Sequence, residues 1–307
     1  MLLSAPITHI SRCSLHDGPG LRTVVYSKGC PLRCRWCHNP ETMEAHPDIL
    51  FAPVKCIQCG RCAAVCPVHH RIEDGILRYD RTGCTACGRC AACCPTGALT
   101  VCGREMTVDE VYAEVIKDRH FYQESGGGVT LSGGECLCHP RFAAELLRRL
   151  RDEGVHTAIE SAFCVPRLSV DQVLPHVDFI FADLKLPDAE RHRRFTGRDN
   201  VQILDNLQYI SETYAPVTLR IPLIPSVNDT LGDMDGFAAV IAGFGRGIKG
   251  VELLRYNILA NAKYDSLGQP YSFFGEKAQS DTQLEALRER LQQGIPERIP
   301  VFFRRES

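Results

Sequence analysis

The chain has 307 residues, with 35 Lys and Arg against 37 Asp and Glu, which is room for one large domain or a large domain carrying a small one. A hydrophobic content of 44% beside 23% charged residues excludes wholesale disorder, and a net charge of −2 leaves no electrostatic footprint for nucleic acid or an anionic membrane. No stretch approaches the ~20 apolar residues of a membrane span, and residues 1–10 lack the basic region and apolar run of a signal peptide.

In chain order, the first predicted element is a strand over 23–26. Residues 51–104 then break any periodic rhythm: they are rich in Cys, Gly and Pro and read as a small inserted domain between 1–50 and 105–307. A helix is expected over 107–122, where Thr107 and Glu110 are spaced as a capping box and Val111, Val115 and Ile116 share a face. A strand over 129–131 opens into Ser132-Gly133-Gly134-Glu135. Phe142, Leu146, Leu147 and Leu150 mark an amphipathic helix closed by Gly154. Strands follow over 157–159 and 177–182, a helix over 203–210, and strands over 217–221 and 251–254. Ser280 and Gln283 repeat the capping-box spacing before Leu284, Leu287 and Leu291. About six β/α units predict parallel strands in a full or partial barrel.

Cysteine is the unusual residue. There are seventeen, an odd number, clustered in the first half of a long chain with no secretory signal, so thiolates holding metal in a reducing, intracellular compartment fit better than disulfides. Two runs in the insert share one spacing: Cys56-x2-Cys59-x2-Cys62-x3-Cys66-Pro67 and Cys84-x2-Cys87-x2-Cys90-x3-Cys94-Pro95. This is the bacterial ferredoxin pattern, in which the fourth Cys of each run serves the other cluster. Cys56, Cys59, Cys62 and Cys94 would then hold one [4Fe–4S] cluster, and Cys84, Cys87, Cys90 and Cys66 a second. Structural zinc is the alternative, though it prefers two separated pairs per ion. Cys93 and Cys102 are left over as packing residues.

Cys30-x3-Cys34-x2-Cys37 supplies three ligands only, after the first strand. A cubane so held keeps one iron free for a small molecule, as an open position does in catalytic metal sites. Trp36 suits a shield for the cluster or plain packing, and Cys13 or His38 would be the fourth ligand if the site were closed.

The spacing Cys30-x3-Cys34-x-Trp36-Cys37 resembles the radical S-adenosylmethionine superfamily. Asp17-Gly18-Pro19-Gly20-Leu21-Arg22, His38-Asn39-Pro40-Glu41, residues 127–135, Asp183-Leu184-Lys185, Phe195-Thr196-Gly197, residues 220–225 and Lys263-Tyr264 narrow it further. Together they resemble glycyl-radical-enzyme activating enzymes, in the longer form with a two-cluster insert.

The resemblance implies a partial (β/α)6 barrel of the radical S-adenosylmethionine type with an inserted two-cluster ferredoxin-like domain. It also implies three [4Fe–4S] clusters, and S-adenosylmethionine on the open iron of the Cys30, Cys34 and Cys37 cluster. Reduction cleaves the cofactor to a 5′-deoxyadenosyl radical, which takes a hydrogen from a glycine of a partner glycyl-radical enzyme. A flavodoxin- or ferredoxin-type donor supplies the electron, in the cytoplasm.

It places Gly133, Gly134 and Glu135 beside the methionine moiety, where acceptors suit an ammonium and small residues allow close approach. Glu160 matches a position that helps hold a monovalent cation. Asp183 and Lys185 follow an apolar strand, where barrels carry function, with a solvated loop pair as the alternative. Arg220 interrupts the strand at 217–221, and a charge there needs a partner: the cofactor carboxylate or a structural salt bridge. Two positions depart from the family: Cys136, with Cys138 nearby, replaces the usual Pro after Gly-Gly-Glu, and Tyr256-Asn257 replaces Tyr-His. Asn257 still hydrogen-bonds but cannot titrate as His does. Two rival readings remain from the sequence, a radical enzyme acting on a small molecule and a plain iron–sulfur electron carrier. The triad argues against the second, since a carrier gains nothing from an open iron.

Overall fold

The computed structural model describes residues 3–214, 216–270 and 277–304. Thirteen strands follow in chain order: β1 (Ser4–Ser14), β2 (Arg22–Ser27), β3 (Asp48–Phe51), β4 (His70–Glu73), β5 (Ile76–Tyr79), β6 (Leu99–Cys102), β7 (Arg104–Thr107), β8 (Gly128–Gly133), β9 (His156–Ser161), β10 (Phe179–Asp183), β11 (Val217–Pro222), β12 (Ile248–Leu254) and β13 (Val301–Phe302). Nine of them form one sheet in the order β13-β12-β11-β10-β9-β8-β2-β1-β7. From β2 through β13 every pairing in it is parallel, while β1 runs antiparallel to β2 and β7. The six strands predicted from apolar runs are β2 and β8 to β12. They are buried on both faces because helices cover the outside, which is why they read as continuous apolar segments rather than alternating ones.

The helix Pro140–Asp152 shows how that cover is built. Phe142, Ala143, Leu146, Leu147 and Leu150 face the sheet, and Arg149 and Arg151 sit in the last turn, where the helix dipole favours cations. The expected capping boxes form at Thr107/Glu110 and Ser280/Gln283. The helix expected over 107–122 is interrupted by a 3-10 turn at Ile116–Asp118 between Val108–Val115 and Arg119–Ser125. That turn brings Asp118 to accept from Thr23 of β2 at 2.8 Å and to pair with Arg12 of β1, a demand of the sheet that helix periodicity does not register. The strand expected from 177 begins at Phe179, because Val177 closes a 3-10 turn by donating to the Leu174 carbonyl. β1 was not predicted.

The sheet curls. Arg304, just past β13, donates to the Leu15 carbonyl at 3.2 Å, and Arg220 of β11 reaches the His16 carbonyl beyond β1. Among the described residues β7 and β13 do not pair, so the barrel is partial. The insert stands on a stem of β3 paired with β6 and holds the β4–β5 hairpin and two short helices, Arg61–Val65 and Arg89–Ala92. Its own small core contains Ile49, Leu77 and Leu99 with Cys62 and Cys90. Among the described residues no helix is long and apolar enough to cross a membrane.

Candidate active site

The carboxyl ends of the parallel strands enclose a cavity of about 680 Å³. Parallel strands end at one edge, so residues distant in sequence converge there. Cys30, Cys34, Trp36 and Cys37 form one wall, Gly133 and Gly134 another, and Asp183, Lys185, Arg220 and Asn257 face them.

The cysteine loop after β2 is held by backbone hydrogen bonds and by Arg198, which donates to the Pro31 carbonyl at 3.0 Å. Gly29 and Cys30 donate to the Thr42 and Met43 carbonyls at 2.7 and 2.9 Å, and Arg33 and Arg35 donate to Thr196 and Phe195 at 2.7 and 3.0 Å. The Phe195-Thr196-Gly197 motif is therefore a clamp at a helix end. His38-Asn39-Pro40-Glu41 is tied down in turn by Lys263, which donates to Asn39 at 2.6 Å and to the buried Glu41 at 2.8 Å. Trp36 is buried and tilts against Phe195.

Burial pushes the Cys34 and Cys37 thiols up to about 12, and Cys30 higher still. Desolvated thiols become thiolates only where enough positive charge is supplied, as iron does; in the bare pocket burial outweighs the lowering effect of Lys185. Three such donors on one cavity wall fit a metal cluster with an open position. Among the described residues no three His, Cys, Asp or Glu side chains gather at single-ion spacing, so these thiols converge on a cavity rather than a point. Cys13 is exposed on β1, outside the cavity wall, whereas His38 lines it.

Asp183 and Lys185 form an ion pair at 2.7 Å, largely buried, with Lys185 in electrostatic reach of Cys34 and Cys30. The solvated-pair alternative fails. Asn257 lines the cavity, and its side-chain oxygen accepts from the Leu259 backbone at 3.1 Å.

Three residues expected at the cofactor engage partners within the chain. The Arg220 guanidinium donates to Glu160 at 2.6 Å, to Glu252 at 2.9 Å and to the His16 carbonyl, and its Cζ lies 3.4 Å from the centroid of the Phe181 ring. Its charge is matched within the chain, as the salt-bridge alternative has it. Glu160 is spent on the same network, accepting from Arg220 and from Ser132 Oγ at 2.9 Å. Burial works against its carboxylate, yet Arg220 holds it below the usual range. Glu135 points away from the cavity: its carboxylate accepts from Leu137 N, Ser161 Oγ and Ala162 N at 3.1, 2.8 and 3.0 Å. It caps the turn Cys136–Cys138 and ties β8 to the end of β9.

The two glycines line the cavity, but backbone packing explains them. A Cβ at Gly134 would stand 2.4 Å from the Gly29 carbonyl oxygen and 2.7 Å from that of Thr42, and Gly133 has φ +112° against Ser27. Cys136 is buried against the Glu160 carbonyl, Cys138 is exposed, and neither lines the cavity.

In the insert, Cys56, Cys59, Cys62 and Cys94 line one small cavity. Cys90, which burial pushes up to about 11, feels Cys84 and Cys66, and Arg89 lies beside Cys87 and Cys66. Each run thus sends its fourth cysteine to the other group. Sequence reasoning missed other polar groups of the main cavity: His16, Asp17, Ser161, Glu252, Arg255 and Arg304. Only Asp17 carried a signal, as the first residue of the Asp-Gly-Pro-Gly motif.

Residues 81–237 match the radical SAM superfamily, 16–61 a 4Fe-4S single cluster domain and 48–95 a 4Fe-4S dicluster domain. A radical SAM methyltransferase from Sphaerobacter thermophilus shares the fold, with a TM-score of 0.56 over 98% of this chain and 78% of that one at 16% identity. Triad, cavity and parallel sheet accordingly belong to a radical SAM enzyme, which works with an iron–sulfur cluster and S-adenosylmethionine.

The chain is 45% identical over 275 residues to the benzylsuccinate synthase activating enzyme of Thauera aromatica, covering 87% of this chain and 83% of the relative. It is 39% identical over 287 residues to the choline trimethylamine-lyase activating enzyme of Oleidesulfovibrio alaskensis, covering 92% and 93%. It belongs to the glycyl-radical-enzyme activating enzymes, in the longer form with a dicluster-type insert. Its partner is a glycyl-radical enzyme, and the carrier and small-molecule readings fall away.

Proposed function

We propose that Cys30, Cys34 and Cys37 hold the [4Fe–4S] cluster that binds S-adenosylmethionine, and that the cavity they line receives the glycine loop of the partner. The observation that carries this reading is the convergence of three desolvated thiols and the Asp183–Lys185 pair on one cavity of about 680 Å³. When bound, the reduced cluster supplies the electron that cleaves the cofactor and so the radical that takes the glycine hydrogen. The chain's own residues do the positioning. Lys185 places positive charge beside the Cys34 thiolate, the Phe195–Thr196 carbonyls hold the loop, and Gly133 and Gly134 let β8 pass close beneath it. Trp36, Asp183 and Asn257 line the space left for the cofactor. Arg220 and Glu160, paired with each other, line the cavity as positioning residues, and Glu135 acts from behind its wall.

The insert, residues 51–104 between barrel parts 1–50 and 105–307, would hold two further clusters through Cys56, Cys59, Cys62 and Cys94 and through Cys84, Cys87, Cys90 and Cys66. A flavodoxin- or ferredoxin-type donor would feed them in the cytoplasm. Three cubanes predict about twelve irons per chain after anaerobic reconstitution. Replacing Cys30, Cys34 and Cys37 by Ala together should remove about four of them and all 5′-deoxyadenosine formation. A triple variant that still made 5′-deoxyadenosine would refute the assignment.

A further inference from the structure

The stem of the insert orders the two cysteine groups along one line. At its inner end Asp48 pairs with Cys102; Asp48 accepts from Lys28 at 2.8 Å and the Cys102 thiol lies 3.8 Å from the Glu41 carbonyl, both against the barrel. At its outer end Phe51 pairs with Leu99, three residues and about 10 Å away along the strand. Ala98 and Leu99 line the cavity of Cys56, Cys59, Cys62 and Cys94, so that group is the outer one.

The other group sits nearer the barrel. Gly88, between Cys87 and Cys90, packs against Val101, and Cys84 accepts from Tyr79 Oη at 3.3 Å. The neighbouring Arg81 bonds the Ile49 carbonyl at 2.5 Å and the Ser266 carbonyl at 2.6 Å. Ser266 shares the helix Asn261–Leu267 with Lys263, whose ammonium holds Asn39 and Glu41 of the active-site loop. Contacts therefore run unbroken from Cys84 to the loop of Cys37.

The outer surface has a distinct character. Val54 and Ile57 are 94% and 63% exposed, next to the exposed Lys55 and Arg61, and Ile57 and Arg61 form the rim of the outer cavity. No acidic residue occurs between Ile49 and Ile72, and none of the ion pairs among the described residues involves Lys55 or Arg61. The insert's ion pairs lie on the β4–β5 hairpin, where Arg71 and Arg78 meet Glu73. Residues 51–104 carry seven basic and three acidic residues, a net +4 in a chain of −2. Exposed apolar side chains fringed by unmatched cations suit a partner with the opposite pattern.

We propose that Val54, Lys55, Ile57 and Arg61 form the dock for an acidic one-electron carrier protein, which makes the outer cysteine group the point where electrons come in and the inner group the point where they leave for the barrel. In the transfer the carrier loses one electron and one oxidised cubane gains it, with no bond made and no proton moved. The proposal rests on the ligand assignment above.

Its test uses the full-length reconstituted protein and follows loss of cluster absorbance, a readout that needs neither S-adenosylmethionine nor the glycyl-radical enzyme. Reduced flavodoxin serves as the acidic probe and photoreduced 5-deazariboflavin as a small neutral reductant. With flavodoxin, the wild-type rate should fall several-fold from ~50 to ~500 mM salt. The Lys55→Glu/Arg61→Glu variant should be roughly tenfold slower at low salt and lose the salt dependence. Lys55→Gln/Arg61→Gln should fall between the two. Iron content and the deazariboflavin rate should be unchanged in both, and Arg71→Glu should behave as wild type. A fully loaded charge-reversed variant reduced as fast as wild type overturns the dock alone. An iron count of about four in the wild type overturns it together with the ligand assignment.

Discussion

Arg220 separates a structural ion network from a cofactor contact. It is 4% exposed, and its partner Glu252 is 1% exposed. Arg220→Met would leave Glu160 with only Ser132 and Glu252 with only Arg304, which bonds its other oxygen at 2.6 Å. Removing one member of a buried ion pair costs about 3–5 kcal/mol, because the desolvated partner keeps its charge. Arg304 is more exposed and still compensates part of the Glu252 charge, so the lower end, about 3 kcal/mol, is expected. At 2–4 °C per kcal/mol for a large domain, that is a melting temperature lowered by roughly 6–12 °C. Arg220→Lys keeps the charge but reaches fewer of the three acceptors than a guanidinium fork, and should lose roughly half as much. The assay pairs thermal melting of the cluster-loaded protein without cofactor with equilibrium binding of S-adenosylmethionine. Lowered melting with affinity changed less than about threefold, under 0.7 kcal/mol, is the expected result. Unaltered melting with affinity reduced tenfold or more would refute the reasoning and return Arg220 to the cofactor carboxylate.

Gly134→Ala would force a methyl group against the Gly29 and Thr42 carbonyls, so it should cost about 1–3 kcal/mol and lower the iron held by Cys30, Cys34 and Cys37. If stability and iron were intact and only cofactor affinity fell, the glycine would serve the cofactor and not the loop. Burial pushes the Glu135 carboxyl from 4.5 up to about 7. The folded chain therefore keeps a proton across that interval which the unfolded chain has released. This group's contribution is full below about pH 4.5 and is lost as pH rises through about 7, by something of the order of 3 kcal/mol. Glu135→Gln should flatten that part of the profile, read as melting temperature between pH 5 and 8. Parallel profiles for variant and wild type would count against it.

The six parallel strands were legible because burial on both faces leaves continuous apolar runs, as in Phe179–Asp183 and Val217–Pro222. Three chemical motifs were legible because their ligands are local: the triad within eight residues and each insert run within eleven. β1 was not legible, since none of its residues after Ile7 is buried and its pairing, between β2 and β7, is set by those two strands. The 3-10 turn at Ile116–Asp118 escaped notice for a similar reason, being required by contacts to β1 and β2 about a hundred residues earlier.

What the sequence alone determined, then, is the chemistry available to this protein: thiol groups at cluster spacing and a sheet whose carboxyl edge would present them. Its motifs could name Arg220, Glu160 and Glu135 as polar groups near that edge but not their partners. Only the tertiary structure decided that Arg220 meets Glu160 and Glu252, that Glu135 turns back to Ser161 and Ala162, and that Lys263 grips the loop of Cys37. A cluster motif depends on spacing along the chain, whereas the partner of a buried charge depends on which strand lies alongside, and strand order is set by global packing.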